Sequence, residues 1–186
     1  MAVISQIKAT SDNVNYNIRD DYSIWGGRNY AQNSGPGVVA SHLTSGNEYI
    51  AINIGTAASN IPSGSTVTVS FDLEMKVTTA NPTLLVYNTI NKGPMQFTNT
   101  SKTFTAAANT TLKQKCEYTN TYTARGSAAT LTDNYLEFYS TYNTGNVFSI
   151  SNLKLEISNT KSTDWSPAPE DIARFIGDET IELYSE

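Results

Sequence analysis

The chain has 186 residues, of which 12 are Lys or Arg and 17 are Asp or Glu, so its net charge at pH 7 is −5. This length is enough for one domain with a core of its own. The acidic balance argues against a nucleic-acid-binding protein, which needs a basic surface. Charged residues make up 16% of the sequence, whereas Ser, Thr and Asn fill about a third of it, which favours solvent-facing strand positions and turns over helices.

Residues 1–27 are predicted to form an N-terminal arm, with at most one strand followed by an extended stretch, that serves attachment and oligomerisation. The first residues do not combine a basic stretch with a long apolar run, so we expect no signal peptide. No apolar run approaches the ~20 residues that cross a membrane. We therefore expect synthesis in a cytoplasm and no membrane insertion.

The clearest strand is "STVTVSFDLEMKV", at residues 65–77. Its apolar residues take the odd positions from Val67 to Val77, and its polar residues take the even positions between them. This period of two predicts a strand with one buried and one solvated face. Shorter segments with a strand pattern are EYIAINI, TLLVYNTI, MQFTNTSKTFTA, LKQKCEYTNTYTA and YLEFYSTY. The third of these reads as one weak strand or a pair of short ones.

The last strand, "VFSISNLKLEI", changes phase along its length. Phe148 and Ile150 occupy even positions, whereas Leu153 and Leu155 occupy odd positions. An apolar face cannot change parity in a regular strand. We therefore predict a β-bulge near Ser151-Asn152, which would return the apolar residues to one face.

These elements predict an all-β fold, an antiparallel β-sandwich of the jelly-roll type, over residues 28–160. Residues 161–186 are predicted to form a Pro-bounded C-terminal tail. Within it, "PEDIARFIG" has a proline suited to a first helical turn and a glycine suited to its end, so a short helix is expected there.

Residue sets that carry catalysis are scarce. The single histidine, His42, has no second histidine for a metal site, and the single cysteine, Cys116, reads as a small buried residue. Asp72 and Glu74 lie two apart on the polar face of their strand, which is a generic solvated pattern rather than a glycosidase pair. We expect that the chain is not an enzyme and has no cofactor. No Ca²⁺-binding loop motif is present, so a structural Ca²⁺ site could only be assembled from distant segments, and the sequence leaves this open.

Tyrosines on or beside the predicted strands suggest a glycan site, since aromatic rings with a few amide or guanidinium groups are typical of small-ligand sites. The candidate glycan-binding residues are Tyr87, Tyr118, Tyr122, Tyr139, Tyr142, Asn88 and Arg125. Tyr139 is the sharpest candidate, because its neighbours Leu136 and Phe138 take the buried phase of the strand. The alternative is that these tyrosines only occupy strand positions, sandwich edges or subunit interfaces, where Tyr is common.

Two stretches that bracket the predicted sandwich resemble a known class of protein. "GRNYAQNSG" resembles the "GRNLLLNS"-type opening of carbohydrate-binding-module-like domains in bacteriophage tail proteins, although Tyr30-Ala31-Gln32 replaces an aliphatic triplet. "SISNLKLEISNTKSTDWSPAPED" resembles their closing strand, "KLE", polar turn and "ATDWTPAPED". "NVNYNIRD" resembles the "TYDIKD" segment near the start of phage fibre proteins. The matching residues of the two bracketing stretches are Gly27, Arg28, Asn29, Asn33, Ser34, Leu153, Lys154, Leu155, Glu156, Lys161, Thr163, Asp164, Trp165, Pro167, Ala168, Pro169, Glu170 and Asp171.

The resemblance implies a jelly roll on a virion tail, fibre or baseplate. Proteins of this class are usually homo-oligomers, often trimers, that contact other virion proteins and host surface glycans. The same domain type occurs in glycan-degrading enzymes, so the fold alone does not settle the function.

The first hypothesis is therefore a non-enzymatic virion structural protein that assembles through its two terminal segments. The alternative is a carbohydrate-binding adhesion module of a larger glycan-active or cell-surface system. In both hypotheses we expect Trp165, Pro167 and Pro169 to act as a structural clasp. The tryptophan covers the core, and the prolines end strand pairing and fix the direction in which the chain leaves.

Overall fold

The computed structural model describes residues 5–8, 15–18, 27–35, 37–41, 49–88, 91–97, 100–140, 146–158, 162–171 and 182–183. The strands in chain order are β1 (Ser5–Lys8), β2 (Asn15–Ile18), β3 (Val38–Ser41), β4 (Tyr49–Asn53), β5 (Thr66–Val77), β6 (Thr83–Tyr87), β7 (Met95–Phe97), β8 (Thr100–Thr103), β9 (Thr110–Ala124), β10 (Tyr135–Ser140), β11 (Val147–Ile157) and β12 (Glu182–Leu183). Short 3₁₀ helices lie at Ala57–Asn60 and Gly126–Ala128.

Two antiparallel sheets form a sandwich. One sheet has four strands in the order β4-β10-β6-β8, and the other has five in the order β3-β11-β5-β9-β7. When the three-residue β7 is set aside, eight strands remain, and consecutive strands mostly alternate between the sheets. When these eight strands are numbered from 1 to 8 in chain order, one sheet has the order 2-7-4-5 and the other has the order 1-8-3-6. This is the arrangement of a jelly roll. The predicted all-β sandwich is confirmed, and the segment "MQFTNTSKTFTA" is a pair of short strands, β7 and β8.

Both terminal segments contribute to a third sheet, of order β12-β1-β2. β1 pairs along its whole length with β2, and Ile7 and Lys8 also pair with Leu183 and Glu182 of β12. This part of the predicted N-terminal arm contains two paired strands, where at most one was expected. The pairing of β1 with β12 was not predicted, because main-chain pairing with a strand more than 170 residues away leaves no local pattern in the sequence.

The core lies between the two sheets of the sandwich. On β5 the apolar residues from Val67 to Val77 are all buried, as their alternation predicts. Phe71 stacks on Tyr118 with ring centroids 5.7 Å apart and meets Phe138 of the opposite sheet edge-on at 5.1 Å. The Tyr118 hydroxyl donates to the main-chain oxygen of Leu84, 2.9 Å away, and so joins the two sheets.

The predicted bulge in β11 is confirmed. The register against β5 shifts between Ser151 and Lys154, and Asn152 takes the left-handed conformation with φ of 49°. Asparagine tolerates this conformation better than most residues. Its side-chain nitrogen donates to Asp72 Oδ2 at 2.6 Å. Beyond the bulge, Leu153 and Leu155 return to the core.

Part of the outer face of β5 is buried, whereas the alternation predicted that the whole face would be solvated. Thr68 and Ser70 on this outer face are buried, and so are the residues opposite them on β11, Glu156 and Lys154. Thr163, which follows β11, bonds to both Lys154 and Glu156 and covers them. A segment from outside the strand therefore buries polar residues that the local pattern places in water.

Residues 162–171 and β12 of the predicted C-terminal tail lie within the described part of the chain. Residues 169–171 are helical, in agreement with a helix that begins at Pro169. The rest of the predicted helix, residues 172–177, lies outside the described residues. Within the described residues, no helix is long and apolar enough to span a membrane.

Candidate functional site

Two separate regions of the sandwich are candidates for function. The first is the joint between the opening segment (residues 27–34), which precedes β3, and the closing segment (residues 162–171), which follows β11. The second is the tyrosine face, the outer face of the four-stranded sheet, formed by Tyr49, Leu85, Tyr87, Tyr135, Glu137 and Tyr139.

Asn29 is the centre of the joint and is completely buried. Its side-chain nitrogen donates to the main-chain oxygens of Leu153 and Ser166, at 3.3 and 2.8 Å. Its side-chain oxygen accepts from the main-chain nitrogens of Ala31 and Leu155, at 2.9 and 3.0 Å. One amide therefore ties the opening segment to β11 and to the closing segment.

Two further contacts connect the opening and closing segments directly. Arg28 forms an ion pair with Glu170 and lies over the ring of Tyr30, 4.9 Å from its centroid. The main-chain nitrogen of Asn33 donates to Asp171 Oδ2 at 2.8 Å. The chain thus enters and leaves the sandwich at neighbouring points.

A buried ion pair holds the closing segment against the five-stranded sheet. Lys154 Nζ donates to Thr163 Oγ1 at 2.6 Å and to the main-chain oxygen of Asp164 at 2.9 Å. The hydroxyl and main-chain nitrogen of Thr163 both donate to Glu156, at 2.7 and 2.8 Å. Burial lowers the pKa of Lys154, and the charge of Glu156 opposes this shift. A Cβ at Gly27 would lie 2.7 Å from Glu156 Oε2, so a larger residue there would have to displace this carboxylate.

The predicted clasp residues lie in the closing segment. Trp165 Nε1 donates to the main-chain oxygen of Leu153 at 3.2 Å, and Pro167 and Pro169 follow on the way to the helical residues. All three side chains are partly exposed. Ser162 bonds to Glu117 on β9, so the closing segment runs from β9 across β11 towards the opening segment.

The tyrosine face has a fixed arrangement because three strands align its residues. On β10, Tyr139 lies opposite Tyr49 of β4 and Leu85 of β6. Two positions along β10, Glu137 lies opposite Tyr87. Directly opposed residues on one face have Cβ atoms about 5 Å apart. The face therefore carries a partly exposed row, Tyr49–Tyr139–Leu85, next to a buried carboxylate.

The carboxylate of Glu137 is completely buried and fixes the residues above it. Its Oε1 accepts from the hydroxyl of Tyr49 at 2.9 Å and from the main-chain and side-chain nitrogens of Asn91 at 2.7 and 2.9 Å. The side chain of Asn91 also donates to the Tyr49 hydroxyl at 2.7 Å. Burial, followed by the hydrogen bond to Glu137 and its negative charge, raises the pKa of Tyr49.

The structure separates the tyrosines that the sequence grouped. Tyr87 and Tyr139 lie on the tyrosine face, where Tyr87 is 7% exposed. Tyr118 and Tyr122 lie inside the sandwich with exposures of 0% and 1%, so their rings fill the core and present no surface for a sugar. Tyr142 lies outside the described residues.

Asn88 and Arg125 have structural contacts. The guanidinium of Arg125 donates to the main-chain and side-chain oxygens of Asn88, both at 2.9 Å, and to the main-chain oxygen of Gly93 at 3.1 Å. Asn88 in turn donates to the main-chain oxygen of Tyr135 at 2.6 Å. These bonds hold the loop between β6 and β7 and leave Asn88 completely buried.

The acidic and thiol groups considered for catalysis have structural partners. Glu74 pairs with Lys113 at 2.9 Å, and Asp72 accepts from the bulge residue Asn152. Burial raises the pKa of Cys116 to about 11, which keeps it a thiol at neutral pH. His42 lies outside the described residues, and within those residues no group of three His, Cys, Asp or Glu side chains could hold a metal ion.

Sequence patterns missed several residues of these two regions. Asn29 appears only as a matched letter of the opening stretch, and its burial depends on partners more than 120 residues away. Tyr49 precedes the isoleucines of β4 in the partly exposed phase and could have been found from that alternation. Asn91 carries no signal, because a turn segment that folds over a sheet leaves no period in the sequence.

The fold and these regions define a jelly-roll β-sandwich whose opening and closing segments are joined. No protein-family model matches the chain, and no curated protein matches it. Among solved structures, the chain is similar to one described as the tripod (BppUct-A-L) from the baseplate of bacteriophage Tuc2009. The TM-score is 0.47 and the sequence identity 12%, over 100% of this chain and 74% of that chain.

Proposed function

We propose that the chain is a non-enzymatic structural protein of a bacteriophage virion, a component of a tail, fibre, baseplate or other appendage. The observation that carries this proposal is the joint. The two stretches that resemble phage tail proteins are separated by more than 100 residues, yet Arg28, Asn29 and Asn33 bond to Glu170, Ser166 and Asp171. The resemblance therefore falls on one physical unit, which supports a shared way of closing the domain.

The position of the chain ends supports an assembly role. The joint brings residues 27 and 171 to the same side of the sandwich, and β1 pairs with β12. A domain held by both ends at one side leaves its opposite surface free. We propose that residues 1–27 and 161–186 join copies of the chain into a homo-oligomer and attach it to other virion proteins, while residues 28–160 form the sandwich.

Light scattering on the purified full chain tests the assembly role. We expect a mass that corresponds to an oligomer. Deletion of residues 1–24 together with 172–186, which removes β1, β2 and β12, should yield a monomer that keeps the cooperative unfolding of the sandwich. A full chain that is a monomer at micromolar concentration, and that mass spectrometry does not detect in purified virions, would contradict the proposal.

Trp165, Pro167 and Pro169 are proposed to hold the closing segment rather than to bind sugar. Trp165→Ala removes the bond to Leu153 and should lower stability or oligomer yield. Trp165→Phe keeps an aromatic ring and should have a smaller effect. A loss of saccharide binding in Trp165→Ala with stability and assembly intact would reverse this assignment.

The second candidate function is a carbohydrate-binding adhesion module. The specific observation that favours it is the tyrosine face, which combines partly exposed aromatic rings with the partly exposed residue Asn91, as small-ligand sites combine apolar surface with a few polar groups. The two functions are compatible in one protein, because the joint and the tyrosine face belong to different sheets of the sandwich.

A further inference from the structure

The terminal sheet, formed by β12, β1 and β2, has residues of different polarity on its two faces. β1 is the central strand, and its residue Ile7 lies directly opposite Tyr16 of β2 and Leu183 of β12. Opposed residues of antiparallel strands share a face, and so do residues two positions apart on one strand. One face, the apolar face of the terminal sheet, therefore carries Ile7, Tyr16, Ile18 and Leu183, with Ser5 opposite Ile18.

The other face of the terminal sheet is polar. By the same register it carries Gln6, Lys8, Asn15, Asn17 and Glu182. Lys8 lies opposite Glu182, so the two charged residues of the described strands have opposite sign and share one row. Charge in the described strands is thus confined to the polar face, and the apolar face carries none.

A sheet as small as the terminal sheet needs a cover for its apolar face. β1 and β2 have four residues each, and β12 has two. Sheets of this size are marginally stable in water unless an apolar face is packed against another layer. Among the described strands, those of the terminal sheet pack extensively only on one another. No described strand of the sandwich therefore covers the apolar face.

Two features favour a second copy of the chain as this cover. A symmetric contact places the same residues on both sides of the interface. Because the apolar face is uncharged, such a contact brings no like charges together. In addition, the bonds Arg28–Glu170 and Asn33–Asp171 hold the two terminal segments together where they leave the sandwich, so each copy presents its terminal sheet on one side.

The size of the apolar face determines how tightly two copies associate. Four apolar residues per copy make a small contact. Interfaces that bury less than about 1,200 Å² are typical of weak and reversible complexes. We therefore expect copies of the chain to associate at micromolar concentration and to separate on dilution.

We infer that the apolar face of the terminal sheet packs against the same face of a second copy of the chain. The inference rests on the proposed assembly role of the terminal segments and specifies which of their surfaces joins the copies. It does not involve the tyrosine face.

Cysteine labelling of the full chain at two concentrations tests the inference. The native Cys116 is buried, so an introduced cysteine is the main site of reaction with a maleimide. Ile7→Cys probes the apolar face, and Gln6→Cys, on the next residue of the same strand, is the matched control on the polar face. We expect Ile7→Cys to react at least about tenfold more slowly at micromolar than at nanomolar concentration, whereas Gln6→Cys should react equally fast at both.

A pair of charge substitutions tests the same contact by its affinity. Ile7→Lys places a charge in the contact and should raise the dissociation constant of the oligomer at least about tenfold. Asn17→Lys, on the polar face of the same sheet, should leave it unchanged. Sedimentation of the full chain measures both constants, and cooperative urea unfolding of both variants checks that the sandwich is intact.

Three results would overturn the inference. The first is protection of Ile7→Cys that is equal at both concentrations, because the face would then be covered by its own chain. The second is unhindered labelling of Ile7→Cys at a concentration at which the chain is oligomeric, because the copies would then join through another surface. The third is a monomeric chain that is present in purified virions, which would assign the apolar face to another virion protein. All three leave the proposed structural function standing, which fails only if the chain is monomeric and absent from virions.

Discussion

Asn29 shows how much of the joint depends on one side chain. Its amide satisfies four main-chain groups in three parts of the chain, and its shape allows it to donate and accept at the same time. Main-chain groups that are buried without a partner cost about 1–3 kcal/mol each. The contribution of Asn29 is therefore mostly the avoidance of that cost.

Asn29→Ala is expected to lower the free energy of unfolding by at least about 3 kcal/mol, since several buried groups lose their partner together. Urea denaturation monitored by tryptophan fluorescence measures this change. Asn60→Ala is the matched control, because Asn60 is exposed at the end of a 3₁₀ helix and its loss should cost no more than about 0.5 kcal/mol. Equal effects of the two substitutions would contradict the central role of Asn29.

Tyr118 makes the stability of the core decrease with pH in the alkaline range. Burial raises the pKa of its phenol above the ordinary value of about 10. The folded state therefore keeps the proton longer than the unfolded state, and the stability from this group is complete below pH 10 and is lost as pH rises through the folded pKa. The loss amounts to at most about 1.4 kcal/mol per pH unit for each such group.

Tyr118→Phe should be less stable than the native chain at pH 7 by about 1 kcal/mol, because it loses the hydrogen bond to Leu84. The gap should narrow above pH 10, since the variant has one titrating group fewer. Urea unfolding between pH 7 and pH 11 measures both effects. Val86→Ala is a buried change without a titrating group, so its free energy of unfolding should change with pH in the same way as that of the native chain. If the difference in stability between Tyr118→Phe and the native chain stays constant from pH 7 to pH 11, Tyr118 is not a source of the pH dependence.

At the residue scale, the outcome of each sequence prediction follows from how local its signal is. Tyr118 was predicted to bind glycan, yet it alternates in phase with Cys116, and this parity agrees with the position of both residues on the inner face of β9. Tyr139 was separated from the core by the same reasoning on β10. Asn29 and Asn91 could not be assigned, because their partners come from distant segments that no local pattern connects to them.

At the scale of elements, the Lys154–Glu156 pair explains why the closing segment stays on the sheet. Their side chains are 0% and 1% exposed, and both bond to Thr163. Either charge alone would be buried without its counterion, which costs about 3–5 kcal/mol. The pair therefore acts as a unit with the segment above it.

A double-mutant cycle tests this coupling. Lys154→Met and Glu156→Leu are each expected to destabilise the chain by about 3–5 kcal/mol, whereas the double variant should lose clearly less than the sum. Hydrogen exchange at the Thr163 amide should increase in Glu156→Leu. The exposed pair Lys113–Glu74 on the same sheet, whose side chains are 68% and 49% exposed, is the control, with a coupling of at most about 1 kcal/mol. Additive losses at Lys154 and Glu156 would show that the two residues act separately.

The elements themselves were largely readable from the sequence. The period of two located β5, and the change of parity in β11 placed the bulge within two residues. The burial of Thr68 and Ser70 was not readable, because it depends on the path of residues 162–166 over the outer face of the sheet. The alternation along a strand predicts which residues lie on the outer face of the sheet. Whether they are solvated depends on whether another segment packs over that face.

At the scale of the whole molecule, the joint determines where both chain ends leave the sandwich. Sequence patterns predicted a sandwich with two terminal appendages but could not show that these appendages meet, since their pairing is set only when the fold is complete. Arg28–Glu170, Asn29–Ser166 and Asn33–Asp171 connect the segments without passing through the core. A pull on the two ends is thus carried first by the pairs between β1 and β12, then by the joint, and by the core last.

Extension of single chains by their termini should therefore show at least one step before the core unfolds. Release of the ten residues 162–171 lengthens the chain by about 35 Å. Arg28→Ala should lower the force of this early step and leave the force of the core step unchanged, while Lys113→Ala should change neither. High salt should weaken the early step in the native chain, because the Arg28–Glu170 side chains are partly exposed and their attraction is screened. If the chain instead unfolds in one step that is insensitive to Arg28→Ala and to salt, the joint does not shield the sandwich from tension.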